Sequence, residues 1–386
     1  MEASSNPRTL RTKRLGGTDL ELSVLGLGTW AMGGPDWLYG WGPQDEKESM
    51  AAIHRAVAQG INWVDTAAVY GLGYAEEVVS RALAALPSSD RPLVFTKCGL
   101  VWKKKSIRQG LGAKSIRREA EASLRRLGVE AIDLYQIHWP NGSTIVEAWR
   151  TLVELRAEGK VRHIGVSNFD VSELERLRAI APVESLQPPY SLARRGIEKE
   201  ILPYCLEQGI GVIVYSPMES GLLSGKMTRE RIEALPDSDW RKRKGAEFRE
   251  PNLSRNLALA ERLRLAAARM AVPPAALAVA WTLKHPAVTG AIVGARRAEQ
   301  VEELVKAAEI DVHEEFSRLL NDDLQPERAE RARPGGSGRA EGAGPRESGR
   351  PPRAEPSAHG RGGGAPRQSS TSEGSEPSEE RGEHFR

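Results

Sequence analysis

Ile132-Asp133-Leu134-Tyr135-Gln136-Ile137-His138 is short, mostly apolar and without helical spacing, so it reads as a buried strand that ends in a histidine. Runs of the same form fall at 24–27, 61–64, 93–96, 163–166, 185–187, 211–215 and 288–293, which makes eight candidate strands. Between them lie stretches with apolar residues at helical spacing, such as Met50, Ile53 and Val57 after Gln44-Asp45, or Ile145, Trp149, Leu152 and Val153. Gln59-Gly60 and Glu158-Gly159 supply stop signals, and Ser172 and Ser254 are candidate caps. Eight strand–helix repeats predict one α/β domain, a (β/α)8 TIM barrel of parallel strands inside a ring of helices. An open doubly wound sheet is the competing architecture. Gly26-Leu27-Gly28 follows the first strand as a dinucleotide-binding glycine turn would, but Met32-Gly33-Gly34-Pro35 comes next where that motif needs a helix.

The remainder of the 386 residues sets limits. From Gln325 to Arg386 there is no Val, Ile, Leu, Met, Trp or Tyr and a single Phe, Phe385, so this stretch lacks the apolar surface to offset the entropy of ordering it. The expectation is a barrel domain over 8–324 and a disordered Pro/Gly/Ser/Arg/Glu-rich tail over 325–386. Lys+Arg 55 against Asp+Glu 52 gives a formal charge of +3, which argues against nucleic-acid binding driven by overall charge. Two distant cysteines, Cys98 and Cys205, form neither a disulfide framework nor a zinc site, and they suit a reducing, cytoplasmic setting. Residues 1–14 lack the apolar run of a secretory signal, and no stretch is apolar enough to predict a membrane span.

In a parallel barrel the C-terminal ends of all strands open onto one face, where active sites are built. The run at 61–64 is followed by Asp65, with Tyr70 five residues on; 93–96 leads into Lys97, and 132–137 into His138. Ser167-Asn168, Gln187 and Tyr215-Ser216 follow the later strands. A phenol with an ordinary pKa near 10 is a poor proton donor at neutral pH unless a cation stabilises its anion, and Lys97 is placed to supply one. Asp65 would hold the lysine, and His138 would orient a substrate carbonyl. The set suits proton transfer coupled to hydride transfer at a carbonyl. It makes no metal cage, because His138 has no second ligand at metal spacing, and no Gly-x-Ser-x-Gly elbow marks a hydrolase. Singly, each residue also has an ordinary structural use; all four on one face point to chemistry.

Asp65-Thr66-Ala67-x-x-Tyr70-Gly71, Lys97 after Val-Phe-Thr, Gln136-Ile137-His138-Trp139-Pro140 and Gly165-Val166-Ser167-Asn168 resemble the aldo-keto reductase superfamily. The likeness continues through Gln187-Pro188-Pro189-Tyr190, Tyr215-Ser216-Pro217-Met218, Gly221-Leu222-Leu223-Ser224-Gly225 and Gly294-Ala295-Arg296. It implies an NADP-dependent oxidoreductase, a carbonyl-reducing barrel with Asp65, Tyr70, Lys97 and His138 as catalytic residues and Tyr70 as general acid. It also implies that Ser167, Asn168 and Gln187 hold the nicotinamide carboxamide and that Tyr215 stacks on the ring. Ser216, Met218, Gly221, Leu222, Ser224 and Lys226 would wrap the pyrophosphate. Arg296 would meet the 2′-phosphate of NADPH, with Gly294 before it among the cofactor-binding residues and Gln300 and Glu303 near the adenine. Arg297 and Leu304 replace residue types common in the family; the second arginine favours the phosphate, hence NADPH over NADH.

Trp30, Trp37, Tyr39, Trp41, Trp102 and Trp139 sit in loops on the same face and are expected to wall a pocket for a small aldehyde, ketone or sugar, ordinary loop packing being the alternative. The basic run Arg241-Lys242-Arg243-Lys244 reads as a solvated or lid surface. Two other functions stay open on these residues: oxidation of a sugar or alcohol by the same site, and a cofactor-sensing regulatory subunit with little turnover.

Overall fold

All eight runs become strands, and the last pairs with the first. The computed structural model describes residues 9–142, 144–313 and 316. The barrel strands are β1 Leu25–Gly28, β2 Trp63–Asp65, β3 Leu93–Cys98, β4 Ile132–Ile137, β5 Val161–Ser167, β6 Ser185–Gln187, β7 Gly211–Val214 and β8 Val288–Gly294. Each is parallel to its neighbours in chain order, and β8 closes on β1 with Ala291 opposite Leu25 and Gly294 opposite Gly28. This is the expected (β/α)8 barrel. β2 begins at Trp63 rather than Ile61, and β2, β3 and β5 run on through Asp65, Lys97 and Ser167, which takes those polar residues into the sheet itself. The proposed boundary at 324 and the tail over 325–386 lie outside the described residues.

Successive strand residues point to opposite faces, and here the alternation sorts chemistry from packing. Trp63, Phe95, Leu134, Ile213 and Ile292 share an inner cluster, while their neighbours Val64, Val94, Tyr135, Val212, Val214, Ala291 and Val293 pack outward under the helices. Two residues on from the inner set come Asp65, Lys97, Gln136 and Tyr215, which therefore also face inward, one layer higher. The lower layer is sealed from beneath by a hairpin of Thr12–Arg14 with Glu21–Ser23, whose Leu15, Leu20 and Leu22 join the inner cluster. Gly16 in this hairpin has φ +52°, and a Cβ there would lie 2.5 Å from the Gly211 nitrogen, so only glycine lets the plug reach the start of β7.

Glycines 26 and 28 serve packing: a Cβ on Gly26 would enter the Trp63 indole and one on Gly28 would lie 2.6 Å from Ile292. The helix caps differ in part from expectation. Asp170, not Ser172, caps Val171–Arg178, because its carboxylate reaches the Glu173 N–H while the Glu173 side chain returns to the Asp170 N–H. Ser254 lies inside Asn252–Arg269 and donates to Glu250 at 2.9 Å. Both cysteines are buried and unpaired. Among the described residues no single helix is long and apolar enough to cross a membrane; the bent pair Asn252–Arg269 and Pro274–Leu283 passes on length and composition alone.

Candidate active site

At the upper layer of the barrel, the Lys97 ammonium donates to Asp65 Oδ1 at 2.5 Å and to the Thr66 carbonyl at 2.9 Å, with both side chains essentially shut off from solvent. The same ammonium lies 5.2 Å from the centre of the Tyr70 ring. His138 meets Tyr70 edge to face, ring centres 5.8 Å apart. The four residues expected at the strand ends thus form one cluster. Tyr70 is held by an unusual turn: Gly71, Leu72 and Gly73 all take positive φ, at +61°, +58° and +106°. For Leu72 such a backbone is strained, as it often is beside functional groups.

Burial dominates the protonation of the cluster. It pushes the Tyr70 phenol well above its ordinary value, aided by the negative charge of Asp65. The Lys97 ammonium lies beside the ring, and burial nonetheless dominates the protonation of the phenol. Burial and the neighbouring Lys97 charge hold His138 well below the usual histidine range, so its imidazole is neutral at pH 7. Burial also lowers Lys97, against the attraction of Asp65.

The residues expected at the nicotinamide adjoin this cluster. Gln187 donates to Asp65 Oδ2 at 2.8 Å and to Gln136 Oε1 at 3.3 Å; Ser167 donates to the Gln187 carbonyl at 2.8 Å. Asn168, at φ +66°, donates to the His138 carbonyl at 3.0 Å and accepts from the Tyr215 hydroxyl at 2.8 Å. Gln136 was not singled out from sequence; its inward parity was the available signal, and its amide nitrogen is buried without a partner.

After β7 the chain turns through Ser216, Glu219, Ser220 and Gly221, all at positive φ, a backbone-rich cradle. Leu222 is not at its surface but packs with Ile232, Phe248 and Leu253, and Met218 contributes carbonyl turns to Gly221 and Leu223. Ser224 donates to the Gly221 carbonyl at 2.7 Å, and Lys226 pairs with Glu303 at 2.6 Å. Gly294 is exposed at the end of β8, with nothing near its Cβ position. Gln300 accepts from the N–H groups of Arg296 and Arg297 at 2.7 and 3.1 Å, so its oxygen is taken up by the backbone. Arg296 donates to Gln44 Oε1 at 2.5 Å, to the Trp41 carbonyl at 3.3 Å and to the Pro43 carbonyl. Amides, a buried phenol ring, a left-handed turn and two guanidiniums are a donor set that fits a nicotinamide dinucleotide.

Trp30, Trp37, Tyr39 and Trp139 gather around Tyr70 with Ala67, Val69 and Leu100. Trp41 joins through Trp30, ring centres 5.3 Å apart. Trp102 does not: on the hairpin Leu100–Lys103 with Ser106–Gln109, its ring lies 6.0 Å from the Arg126 guanidinium. The basic run is not uniformly solvated either. Arg241 is buried, held twice by Asp239 at 3.0 and 2.7 Å and laid over the Trp41 ring at 4.5 Å. Trp240, beside it, was missed from sequence; it stacks on Trp30 with ring centres 4.9 Å apart. A lone tryptophan inside a charge run was the signal, since so large an apolar ring is seldom left in water.

The class that this fold and site define is a (β/α)8-barrel enzyme with its polar cluster at the C-terminal mouth. A model of the aldo/keto reductase family matches residues 24–322. The chain belongs to the aldo/keto reductase family, a family of oxidoreductases. It is 37% identical over 310 residues to "Aldo-keto reductase YhdN" of Bacillus subtilis, covering 80% of this chain and 92% of that protein. It is 36% identical over 325 residues to "NADH-specific methylglyoxal reductase" of Escherichia coli, covering 80% and 96%. Among solved structures it resembles the glycerol dehydrogenase AKR11B4 of Gluconobacter oxydans, with TM-score 0.72, 39% identity, and 81% and 94% of the two chains covered. The aldo-keto reductase AKR11C1 of Bacillus halodurans, in its holo form, gives 0.66, 26%, and 81% and 96%.

Proposed function

We propose that the protein is a nicotinamide-dependent reductase of small aldehydes and ketones, with Tyr70 as the general acid. The observation that carries this reading is the gathering at the Tyr70 ring of the Lys97 ammonium, at 5.2 Å, and the His138 ring, at 5.8 Å. When bound, the cofactor supplies the hydride to the carbonyl carbon. A neutral His138 can donate a hydrogen bond to the carbonyl oxygen, and the Tyr70 hydroxyl, kept protonated by burial, gives that oxygen its proton. The phenolate left behind is then stabilised by Lys97, which Asp65 holds in place. Asp65 also accepts from Gln187, so the carboxylate ties the proton donor's support to the nicotinamide side.

For the cofactor we propose NADPH. Arg297 is exposed just ahead of the helix Ala298–Leu304, and Arg296 would exchange three neutral oxygens of the first loop for a phosphate dianion, a stronger acceptor for a guanidinium. The reverse direction, alcohol to carbonyl, is the second reading, favoured by the likeness to a glycerol dehydrogenase. Fluorescence titration with NADPH and NADH, followed by absorbance at the reduced-nicotinamide band with aldehydes and alcohols, tests both. Binding with aldehyde-dependent oxidation supports the reductase; binding without turnover in either direction would overturn it.

A further inference from the structure

Beside the turn that follows β7, one guanidinium serves two carboxylates. Arg194, in the loop after β6, donates to Glu219 Oε1 at 3.1 Å and to Glu247 Oε1 at 3.2 Å. Glu219 belongs to the left-handed turn itself, at φ +45°, and its side chain is 4% exposed. Its second oxygen accepts from the Ser191 hydroxyl at 2.7 Å. Glu247 lies in the turn Ala246–Phe248, where the Asn256 amide donates to it at 3.3 Å. The loop that carries Arg194 is fixed in turn: Ser191 and Arg194 exchange backbone hydrogen bonds at 3.2 and 3.0 Å, and the Tyr190 N–H donates to the Tyr215 carbonyl at 3.1 Å.

The turn is the one expected to wrap the cofactor's diphosphate, so a carboxylate inside it needs an account. Two other cations adjoin this segment, each met by one carboxylate. Arg241, which donates to the Ser220 carbonyl at 3.3 Å, is held by Asp239, and Lys226 is held by Glu303. At Arg194 a single positive charge meets two negative ones. Burial holds the Glu219 carboxyl above its ordinary value, against the pull of Arg194 and Ser191. Arg194, Glu247 and the Tyr215 phenol are the titratable groups that face it. An ionised carboxylate in the cradle opposes an anion placed there, and in a partly buried site that repulsion reaches further than in water. The cation paired with it then sets the affinity without touching the ligand.

We propose that Arg194 is a positioning residue for the dinucleotide: by neutralising Glu219 it lets the turn after β7 accept the cofactor's diphosphate. The proposal rests on the cofactor reading and deepens it.

The test is fluorescence titration of the full chain with NADPH and NADH at about pH 8.5, where a carboxyl is ionised. Arg194→Met is expected to weaken both dinucleotides about tenfold and to the same degree, since both carry the diphosphate and one charge is left uncompensated. The double variant Arg194→Met/Glu219→Gln should return to within about twofold of wild type, and Glu219→Gln by itself should bind both about threefold more tightly. The gap between Arg194→Met and the double variant should close as the pH is lowered to about 5.5, because a protonated Glu219 carries no more charge than a glutamine. Ionisation of the cofactor is common to both variants and cancels.

A residue that only props the turn would give a loss that the second substitution leaves or deepens at every pH, and that result overturns the proposal. So does an Arg194→Met affinity within about twofold of wild type, or a loss confined to one dinucleotide. Should Arg194→Met not fold, Glu219→Gln decides: tighter binding supports the proposal, and equal or weaker binding overturns it. If the wild-type protein binds neither dinucleotide, the cofactor reading fails at that step, before any variant is compared, and the proposal falls with it.

Discussion

Gly33 and Gly71 meet backbone to backbone: a Cβ on Gly33 would lie 2.7 Å from the Gly71 nitrogen, and one on Gly71 would drive into the Gly33 carbonyl. The first loop thereby sets the position of the turn that carries Tyr70. Gly71→Ala is expected to move Tyr70 off Lys97 and His138, because both the contact and the φ of +61° exclude a side chain. The expected outcome is a fall in kcat of at least about tenfold with the cofactor Kd little changed. Steady-state kinetics beside fluorescence titration measures it.

Tyr70→Phe removes the proposed acid and leaves the ring in the stack. Turnover should fall by about 10²–10⁴-fold, the range for a lost acid–base group, while cofactor affinity stays within about twofold. Equal loss of both would take Tyr70 out of its role.

The Lys97–Asp65 pair is buried, so removing one partner strands the other. Lys97→Met should cost about 3–5 kcal/mol of stability, and the double variant Lys97→Met/Asp65→Asn should recover part of it, because no isolated charge remains. Thermal melts of the two variants give the comparison.

Arg296 and Arg297 can be separated. Arg297→Ala should weaken NADPH by about tenfold and leave NADH unaffected, as expected of a phosphate contact. Arg296→Ala should do this and also raise the KM for aldehyde with either cofactor, since it releases Trp41, Pro43 and Gln44 of the first loop. An Arg296→Ala effect equal on the two cofactors would remove it from the phosphate.

Glu119 sits behind β3, accepting from the Gly99 N–H at 2.9 Å and from Ser115 at 3.2 Å. Burial raises its carboxyl to about 7, the two hydrogen bonds opposing only in part. An acid raised on folding binds more protons in the native state, so its contribution to stability falls as pH rises from the ordinary carboxylate value through about 7. Glu119→Gln should therefore match wild type near pH 4 and exceed it above pH 7, by on the order of 1–3 kcal/mol. Urea unfolding at both pH values checks the sign.

The fold was legible because strands buried on both faces are continuous apolar runs, and eight of them alternating with amphipathic stretches leave little choice of architecture. Asp65, Lys97 and His138 were legible because each follows such a run. What escaped was decided by contacts distant in sequence. Nothing local to Arg296 reveals that Gln44 and two carbonyls of the first loop hold it, and nothing local to Arg241 reveals that the Trp41 ring lies under its guanidinium. Ser172 lost its cap to Asp170 for a local reason: the carboxylate two residues earlier sits at the helix start and reaches the free N–H of Glu173. The two hairpins were missed because their strands are short and half exposed, so they lack the apolar continuity that marks the barrel.

The hairpin that seals the barrel floor has an awkward place in the order of synthesis. Leu15, Leu20 and Leu22 leave the ribosome before any strand they will touch, and their site is complete only when Ile292 of β8 emerges. Throughout translation the stopper exists without its vessel, three leucines with no partner of their own. Such long-range closure favours slow folding and exposed apolar surface along the way.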